Sequence, residues 1–226
     1  TAATPATASL ARVERVVFDL GGVFFRWEPL VLLQEVFPQA APDAAAAVGL
    51  AERIFQTFDP CSDWAQFDLG QVEPQTLARK IARRTGLKEA DLLALMAAIP
   101  AHMSVHSGTV AILRALHGQG LPVYFLSNMP HGYADMLVRG HPFFSLFTDG
   151  IFSAHVAQIK PDAAIYATAD RRFGSAGDGT LFIDDVPRNI HAAERHGWRG
   201  LLFTDAEQCQ RALQAQGVLP AATPVL

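Results

Sequence analysis

Residues 16–25 read VVFDLGGVFF, an apolar run interrupted by one acid, Asp19, and by two glycines. The first predicted strand is 13–19, and four more short apolar runs bounded by turn residues follow, at 121–127, 149–153, 180–185 and 199–204. Runs of this length and composition predict buried β-strands. Helix-like segments alternate with the later strands, so we predict an α/β fold: a three-layer, Rossmann-like core whose parallel sheet is covered by helices on both faces.

One interval does not fit simple alternation. The stretch from Asp19 to Ser127 is several times longer than the roughly 30 residues of a strand–helix–strand crossover. It contains helix-like segments at 29–37, 43–57, 74–85 and 88–98. The clearest is VEPQTLARKIARRTG at 72–86, where a proline near the start and a glycine at the end bound an amphipathic repeat.

We therefore predict a helical cap domain inserted after the first strand. The predicted division is a flexible tail at 1–10, a core formed by 11–26 and 104–226, and a cap at 27–103. The tail lacks the basic start and apolar block of a signal peptide.

Composition argues against several kinds of partner. Hydrophobic residues make up 50% of the 226 residues, enough for a sizeable core. The net charge is −4 without a basic cluster, so we expect neither nucleic acid nor a membrane as partner. No run reaches the roughly 18 apolar residues of a membrane span. The two cysteines, Cys61 and Cys209, show no metal-type spacing, and we predict a cytoplasmic protein.

Polar residues follow four of the predicted strands or lie in the next loop. They are Asp19, Ser127, Asn128, Lys160, Asp184 and Asp185. Taken singly, each has an ordinary interpretation as a turn residue, a helix cap or a surface lysine. Ligands of parallel sheets bind at the carboxyl ends of the strands. Three acids and a lysine at this edge therefore predict a divalent cation together with a phosphoryl group.

The segments FDLGGV, FLSN, IKPD and FIDDVPRN closely resemble, in this order, the four motifs of the haloacid dehalogenase-like hydrolase superfamily. Within it, the chain is similar to the branch with a helical cap after the first strand, subfamily I. It also resembles members of the glucose-1-phosphate phosphatase type, which have glycine two residues after the nucleophile. The resemblance covers about 13 to 204.

The resemblance implies a role for each motif residue. Asp19 would be the nucleophile that forms an aspartyl phosphate. Ser127, Asn128 and Lys160 would bind the phosphoryl group. Mg²⁺ would lie among Asp19, the backbone carbonyl of Gly21 and the two late acids, with Asp185 as direct ligand and Asp184 acting through water. Asn189 would steady the acid loop.

The resemblance also implies that the cap selects the substrate, a small phosphorylated metabolite of the sugar phosphate type. Arg26 and Trp27, just after the first strand, and Trp64 within the cap are the candidate substrate contacts. An aromatic residue such as Trp64 or Phe67 is more often part of the cap core. The oligomeric state is left open by the sequence.

Gly21 departs from the pattern of most phosphatases in this family, which have a second aspartate there as general acid and base. Loss of such a proton donor typically lowers a rate by about 10²–10⁴-fold. Three interpretations stay open at this point. The chain is a phosphatase whose substrates have good leaving groups, a catalytically weak or inactive module that binds phosphate and metal, or a 2-haloacid dehalogenase.

Overall fold

The computed structural model describes residues 12–174 and 176–221, so the tail predicted at 1–10 lies outside the described residues. The strands are β1 (Arg15–Phe18), β2 (Val123–Ser127), β3 (Asp149–Phe152), β4 (Thr180–Asp184) and β5 (Arg199–Leu202). They form one parallel sheet in the order β3-β2-β1-β4-β5. This confirms the α/β fold class predicted from the sequence.

Helices follow or precede each strand. Those of the core are α6 (Ser107–Gly118), α7 (His131–Gly140), α8 (Ser153–Val156), α9 (Ala163–Phe173), α10 (Pro187–His196) and α11 (Ala206–Ala215). Those between β1 and α6, called here the inserted helices, are α1 (Pro29–Val36), α2 (Ala44–Phe55), α3 (Asp63–Asp68), α4 (Pro74–Thr85) and α5 (Glu89–His102). Short 3₁₀ turns cover Gln56–Phe58, Pro142–Leu146 and Gly177–Gly179.

The sheet is buried on both faces, as its apolar strands predict. Alternate side chains point to opposite faces of a strand. On β1, Val16 and Phe18 belong to one apolar cluster and Val17 belongs to another. The Val17 cluster includes residues of α9 and α10, and the Phe18 cluster includes residues of α6 and α11. The sheet therefore forms the middle of three layers.

The inserted helices leave and rejoin the core through two adjacent segments. Arg26 N donates to Ser104 O at 2.8 Å, and His106 N donates to Phe24 O at 2.8 Å. The first segment is also anchored by Phe24, which is 0% exposed and stacks on Phe143. The division into cap and core at 27–103 stays a prediction. Among the described helices, none combines the length and apolarity needed to cross a membrane.

Candidate active site

Asp19 and Lys160 meet at the carboxyl edge of the sheet. Asp19 directly follows β1, and Lys160 lies in the turn between α8 and α9. The Lys160 Nζ lies 2.9 Å from Asp19 Oδ1 and 2.6 Å from Asp184 Oδ2. All three side chains are buried. The ammonium group therefore holds together two carboxylates that water cannot screen.

Two asparagines fix these charged groups in place. Asn128 exchanges two hydrogen bonds with the backbone of Lys160: Lys160 N donates to Asn128 Oδ1 at 2.8 Å, and Asn128 Nδ2 donates to Lys160 O at 3.0 Å. Asn189 Nδ2 lies 3.1 Å from each carboxylate oxygen of Asp184. Asn128 follows β2 and Asn189 lies in α10, so the site is held by several elements.

Ser127 is placed differently from its neighbours. It ends β2 with only 1% of its surface exposed, and it does not line the cavity described below. Asn128 and Met129, which follow it, do line that cavity. Binding of a phosphoryl group by the Ser127 side chain stays a prediction.

The electrostatics of the site reflect crowded acids. Burial raises the pKa of Asp19 to about 7; Lys160 opposes this shift, while Asp184 and Asp185 add to it. Asp185 touches solvent in the cleft, yet the surrounding protein raises its pKa to about 6, with Asp184 as the next cause. Burial alone would lower the pKa of Lys160, but Asp184 and Asp19 raise it, so the lysine stays charged. The site lacks positive charge relative to its acids.

The acid cluster fits a divalent cation. Asp19, Asp184 and Asp185 each offer a carboxylate oxygen, and these oxygens lie within 4.8 Å of one another. Gly22 has φ +73°, and a Cβ added there would lie 2.1 Å from Asp185 Oδ2. Glycine at this position thus lets Asp185 approach the backbone. Carboxylate oxygens are the ligands that Mg²⁺ prefers, so Asp19 and Asp185 would hold this ion.

We expect Mg²⁺ to stabilise the folded chain through these acids. At a free concentration about 100 times Kd, the ion should raise Tm by about 5–10 °C. The folded-state pKa of Asp19 lies above its ordinary value of 3.8, so the metal-free fold loses stability as pH rises from there to about 7. Protons thus compete with Mg²⁺ for Asp19 at low pH, so the increase in Tm caused by Mg²⁺ should be larger at pH 8 than at pH 5. Differential scanning calorimetry measures this increase.

Two variants sharpen this thermal measurement. Asp185→Asn should remove most of the increment, because it deletes a charged ligand. Asp91→Asn changes an exposed acid of α5 and should keep the increment unchanged. An equal increment in wild type and Asp185→Asn would show that the acid cluster does not bind the ion.

A cavity of about 480 Å³ lies above the acids. Asp19, Lys160 and Asp185 form its polar end. Most of its remaining wall is apolar, formed among others by Trp27, Phe58, Trp64, Ile99, Met103 and Tyr133. These residues come from the inserted helices, their linkers and α7, so the cavity lies between the inserted helices and the sheet.

The rim of this cavity includes a strained turn. Gln56, Thr57 and Phe58 all have positive φ angles, between 50° and 53°. Residues other than glycine rarely adopt this conformation, and strain of this kind concentrates at functional sites. Arg188 Nη2 donates to Phe58 O at 2.7 Å, which ties the turn to the start of α10, three residues after Asp185.

The candidate substrate contacts divide into two groups. Trp27 and Trp64 line the cavity, although Trp64 is only 4% exposed and packs edge-on against Phe55. Phe67 is part of the apolar cluster. Arg26 is exposed and lies outside the cavity wall. Burial lowers the pKa of His106, and the positive charge of Arg26 lowers it further. This placement does not support Arg26 as a substrate contact.

Asp68 is a cavity residue that the sequence analysis missed. It ends α3, within the segment DWAQFD, and no local pattern marks it. An acid shortly before a glycine, here Gly70, is typical of a helix end and gives no functional signal. Its proximity to Asp19 arises only from tertiary packing.

Comparison with known proteins agrees with the motifs. The family model described as haloacid dehalogenase-like hydrolase matches residues 13–197. A relative, the sesquiterpene phosphatase astK of Aspergillus oryzae, is 30% identical over 84% of this chain and 89% of its own length. The (S)-2-haloacid dehalogenase H-109 of Pseudomonas putida is 23% identical over 82% of this chain and 83% of its own.

The fold also matches solved structures. One is a haloacid dehalogenase-family enzyme of Bacteroides thetaiotaomicron in complex with magnesium and inorganic phosphate. It superposes with a TM-score of 0.65 at 17% identity, covering 85% of this chain and 95% of that one. Identity this low supports the shared fold alone.

Proposed function

The chain belongs to the haloacid dehalogenase-like hydrolase family, and we propose that it is a magnesium-dependent phosphatase acting through an aspartyl phosphate on Asp19. The observation that carries this proposal is the cluster formed by Asp19, Asp184 and Asp185 against Lys160. Such a cluster suits a cation and a phosphate dianion. The Bacteroides enzyme, whose complex holds both, is consistent with it.

The residues of the chain divide the work of phosphoryl transfer. Asp19 Oδ attacks phosphorus, and Lys160 compensates the negative charge of the nucleophile and of the phosphoryl oxygens. Asn128 fixes the backbone of Lys160, and Asn189 fixes Asp184. Ser127 and Asn128 are the proposed phosphoryl ligands. Mg²⁺ would be held by Asp19, Asp185 and the carbonyl of Gly21, with Asp184 acting through water. This ion would neutralise the negative charge of the phosphoryl group.

The alternatives are separated by the late acids and by an assay. A dehalogenase needs no metal, so the pair Asp184–Asp185 favours the phosphatase. Phosphate release from p-nitrophenyl phosphate that requires Mg²⁺ supports the proposal. Halide release from a 2-haloacid in the presence of EDTA would identify a dehalogenase. Absence of turnover over a broad ester panel, with Mg²⁺ binding retained, would identify a binding module.

The cavity wall bears on the substrate. The sequence analysis predicted a sugar phosphate, whose hydroxyl groups need several hydrogen-bonding partners. The cavity above the acids is instead mainly apolar, with Trp27, Phe58 and Met103 in its wall. We therefore favour the phosphate monoester of a largely apolar alcohol, as for the relative named a sesquiterpene phosphatase. A sugar phosphate stays a second prediction for the substrate. The cytoplasmic location also stays a prediction.

We expect kcat/KM to rise along a series of straight-chain alkyl phosphates. Each methylene group transferred from water into the cavity should contribute up to about fourfold, until the cavity is filled. Glucose 1-phosphate should be hydrolysed less efficiently than octyl phosphate. Trp27→Ala should lower kcat/KM for octyl phosphate by about tenfold, through lost apolar contact.

A matched variant and a competing outcome define this test. Val31→Ala truncates an exposed apolar residue of α1 and should leave the series unchanged. If kcat/KM of the wild type does not change with alkyl chain length and glucose 1-phosphate is the better substrate, the result would contradict the apolar substrate class and support the sugar phosphate.

A further inference from the structure

Asp68 is a carboxyl group of the cavity that the reaction described above does not use. It approaches from α3, whereas Asp19 and Asp185 approach from the ends of strands. Among the described residues that line the cavity, these three supply the carboxyl groups. Asp19 serves as nucleophile and Asp185 as metal ligand, so Asp68 is the acid that is left for proton transfer.

Among the described side chains of the cavity wall, no other one is available as the proton donor that is missing at Gly21. A Cβ added to Gly21 would meet no atom within 4 Å, so the space beside the nucleophile is open. Lys160 is paired with Asp19 and Asp184, and the Tyr133 hydroxyl donates to Met96 O at 2.8 Å. Thr57 and Arg188, which also line the cavity, donate to backbone carbonyl groups. Histidine is absent from the described part of the wall.

Hydrogen bonds hold the end of α3 against the core. The buried Ser153 Oγ donates to the backbone carbonyl of Asp68 and accepts from Met129 N at 2.8 Å. Met129 belongs to the loop after β2 and lines the cavity. Gly70 has φ +70°, and a Cβ there would lie 2.6 Å from His131 Nε2, so glycine permits this close approach. The backbone of Asp68 is thus anchored to Ser153, and the chain two residues later packs closely against His131.

We propose that Asp68 is the general acid and base of the reaction and replaces, from the inserted helices, the aspartate that most related phosphatases have at position 21. This inference rests on the proposed function. It changes the interpretation of Gly21: the proton donor is moved to another element of the fold and is not lost.

The two half-reactions balance with one proton moving through Asp68. Asp19 Oδ bonds to phosphorus, the ester P–O bond breaks, and its electron pair stays on the alcohol oxygen, which takes the proton of Asp68. A water oxygen then bonds to phosphorus and gives its proton to the Asp68 carboxylate. The P–O bond to Asp19 breaks, its electron pair returns to the Asp19 carboxylate, and phosphate leaves.

The surroundings of Asp68 suit this role. Its side chain is half-buried at the cavity wall, and burial, followed by the charge of Asp19, raises its pKa to about 8 against the opposing charge of Lys160. Tyr133 lines the same cavity, and burial, followed by the charge of Asp68, raises the pKa of its hydroxyl group. Burial thus favours the protonated form of Asp68, which is the form that can give a proton to a leaving alkoxide.

The test compares leaving groups, because loss of a proton donor slows the release of a poor leaving group more than that of a good one. With saturating Mg²⁺, kcat/KM is measured for hexyl phosphate, a poor leaving group, and for p-nitrophenyl phosphate, a good one. Asp68→Asn should lower kcat/KM by about 10²-fold or more for hexyl phosphate and by less than about threefold for p-nitrophenyl phosphate. Asp91→Asn, an acid-to-amide change on the exposed side of α5, should change neither.

Gly21→Asp provides an independent check in both backgrounds. In Asp68→Asn, it should restore hydrolysis of hexyl phosphate by at least about tenfold, because it supplies an acid from the other side. In the wild type, which already has a donor, the gain should stay below about threefold. The open space at Gly21 makes the substitution sterically acceptable.

The outcomes separate this inference from the proposed function. If Asp68→Asn lowers kcat/KM equally for both esters, or for neither, the role of Asp68 alone is overturned. So would a gain from Gly21→Asp that is the same in both backgrounds. Failure of the wild type to release phosphate from either ester would overturn both the proposed function and this inference.

Discussion

Replacing Asp19 by asparagine should abolish phosphatase turnover, with a loss of at least about 10⁴-fold in kcat. An amide cannot attack phosphorus as a carboxylate does, and every later step depends on that bond. The Leu20 backbone N–H donates to Asp19 Oδ1 at 2.7 Å, and the amide oxygen of asparagine can accept the same hydrogen bond. The measurement is Mg²⁺-dependent phosphate release from p-nitrophenyl phosphate.

Stability controls show whether this loss is chemical. The buried Asp19 carboxyl faces Asp184 and Asp185, and removing its charge relieves repulsion within the acid cluster. We therefore expect Asp19→Asn to unfold at a urea concentration no lower than that of the metal-free wild type. Turnover within about tenfold of the wild type in a folded variant would contradict the role of Asp19 as nucleophile.

Replacing Lys160 by methionine should lower both stability and activity. The Lys160 side chain is 1% exposed and contacts the carboxylates of Asp19 and Asp184. Removing one partner of such a group leaves buried charges uncompensated, so the free energy of unfolding should fall by about 3–5 kcal/mol near pH 7. Urea titration of the metal-free protein measures this change.

The loss in Lys160→Met should depend on pH. Lys160 opposes the rise in the pKa of Asp19, so without the ammonium the folded-state pKa of Asp19 rises further and this acid becomes protonated and uncharged as pH falls. The stability difference from the wild type should therefore shrink as pH falls. Lys88→Met replaces an exposed lysine and should change stability by less than about 0.5 kcal/mol. A Lys160 variant that matches this control at pH 7 would contradict the electrostatic account.

Much of the fold could be predicted from local sequence. The strands are short, apolar and bounded by turn residues, and each of the five predicted runs contains an observed strand. α4 has the proline and glycine that its sequence indicates as boundaries. The six-residue α3 was not predicted, because it is too short to show a helical repeat. α5 continues through Pro100 to His102, beyond the end predicted at 98.

The polar end of the site was also accessible from sequence, because its residues follow strands that share one edge. The expectation that Asp19, Lys160 and Asp185 lie close together needed only the topology of a parallel sheet, whereas their individual roles came from the family resemblance. Asp68 needed the packing of α3 on the core, which no local pattern encodes. The apolar wall has the same origin, since residues such as Trp27 and Tyr133 come from distant elements.

The most direct test of the account is detection of phosphate on Asp19. Wild-type protein with Mg²⁺ is mixed with p-nitrophenyl phosphate, quenched in acid within the first turnover and digested, and its peptides are weighed by mass spectrometry. The peptide containing Asp19 should gain the mass of one phosphoryl group, and the same peptide of Asp19→Asn should not. Turnover without a labelled Asp19 peptide, or with the phosphoryl group on another residue, would contradict the account.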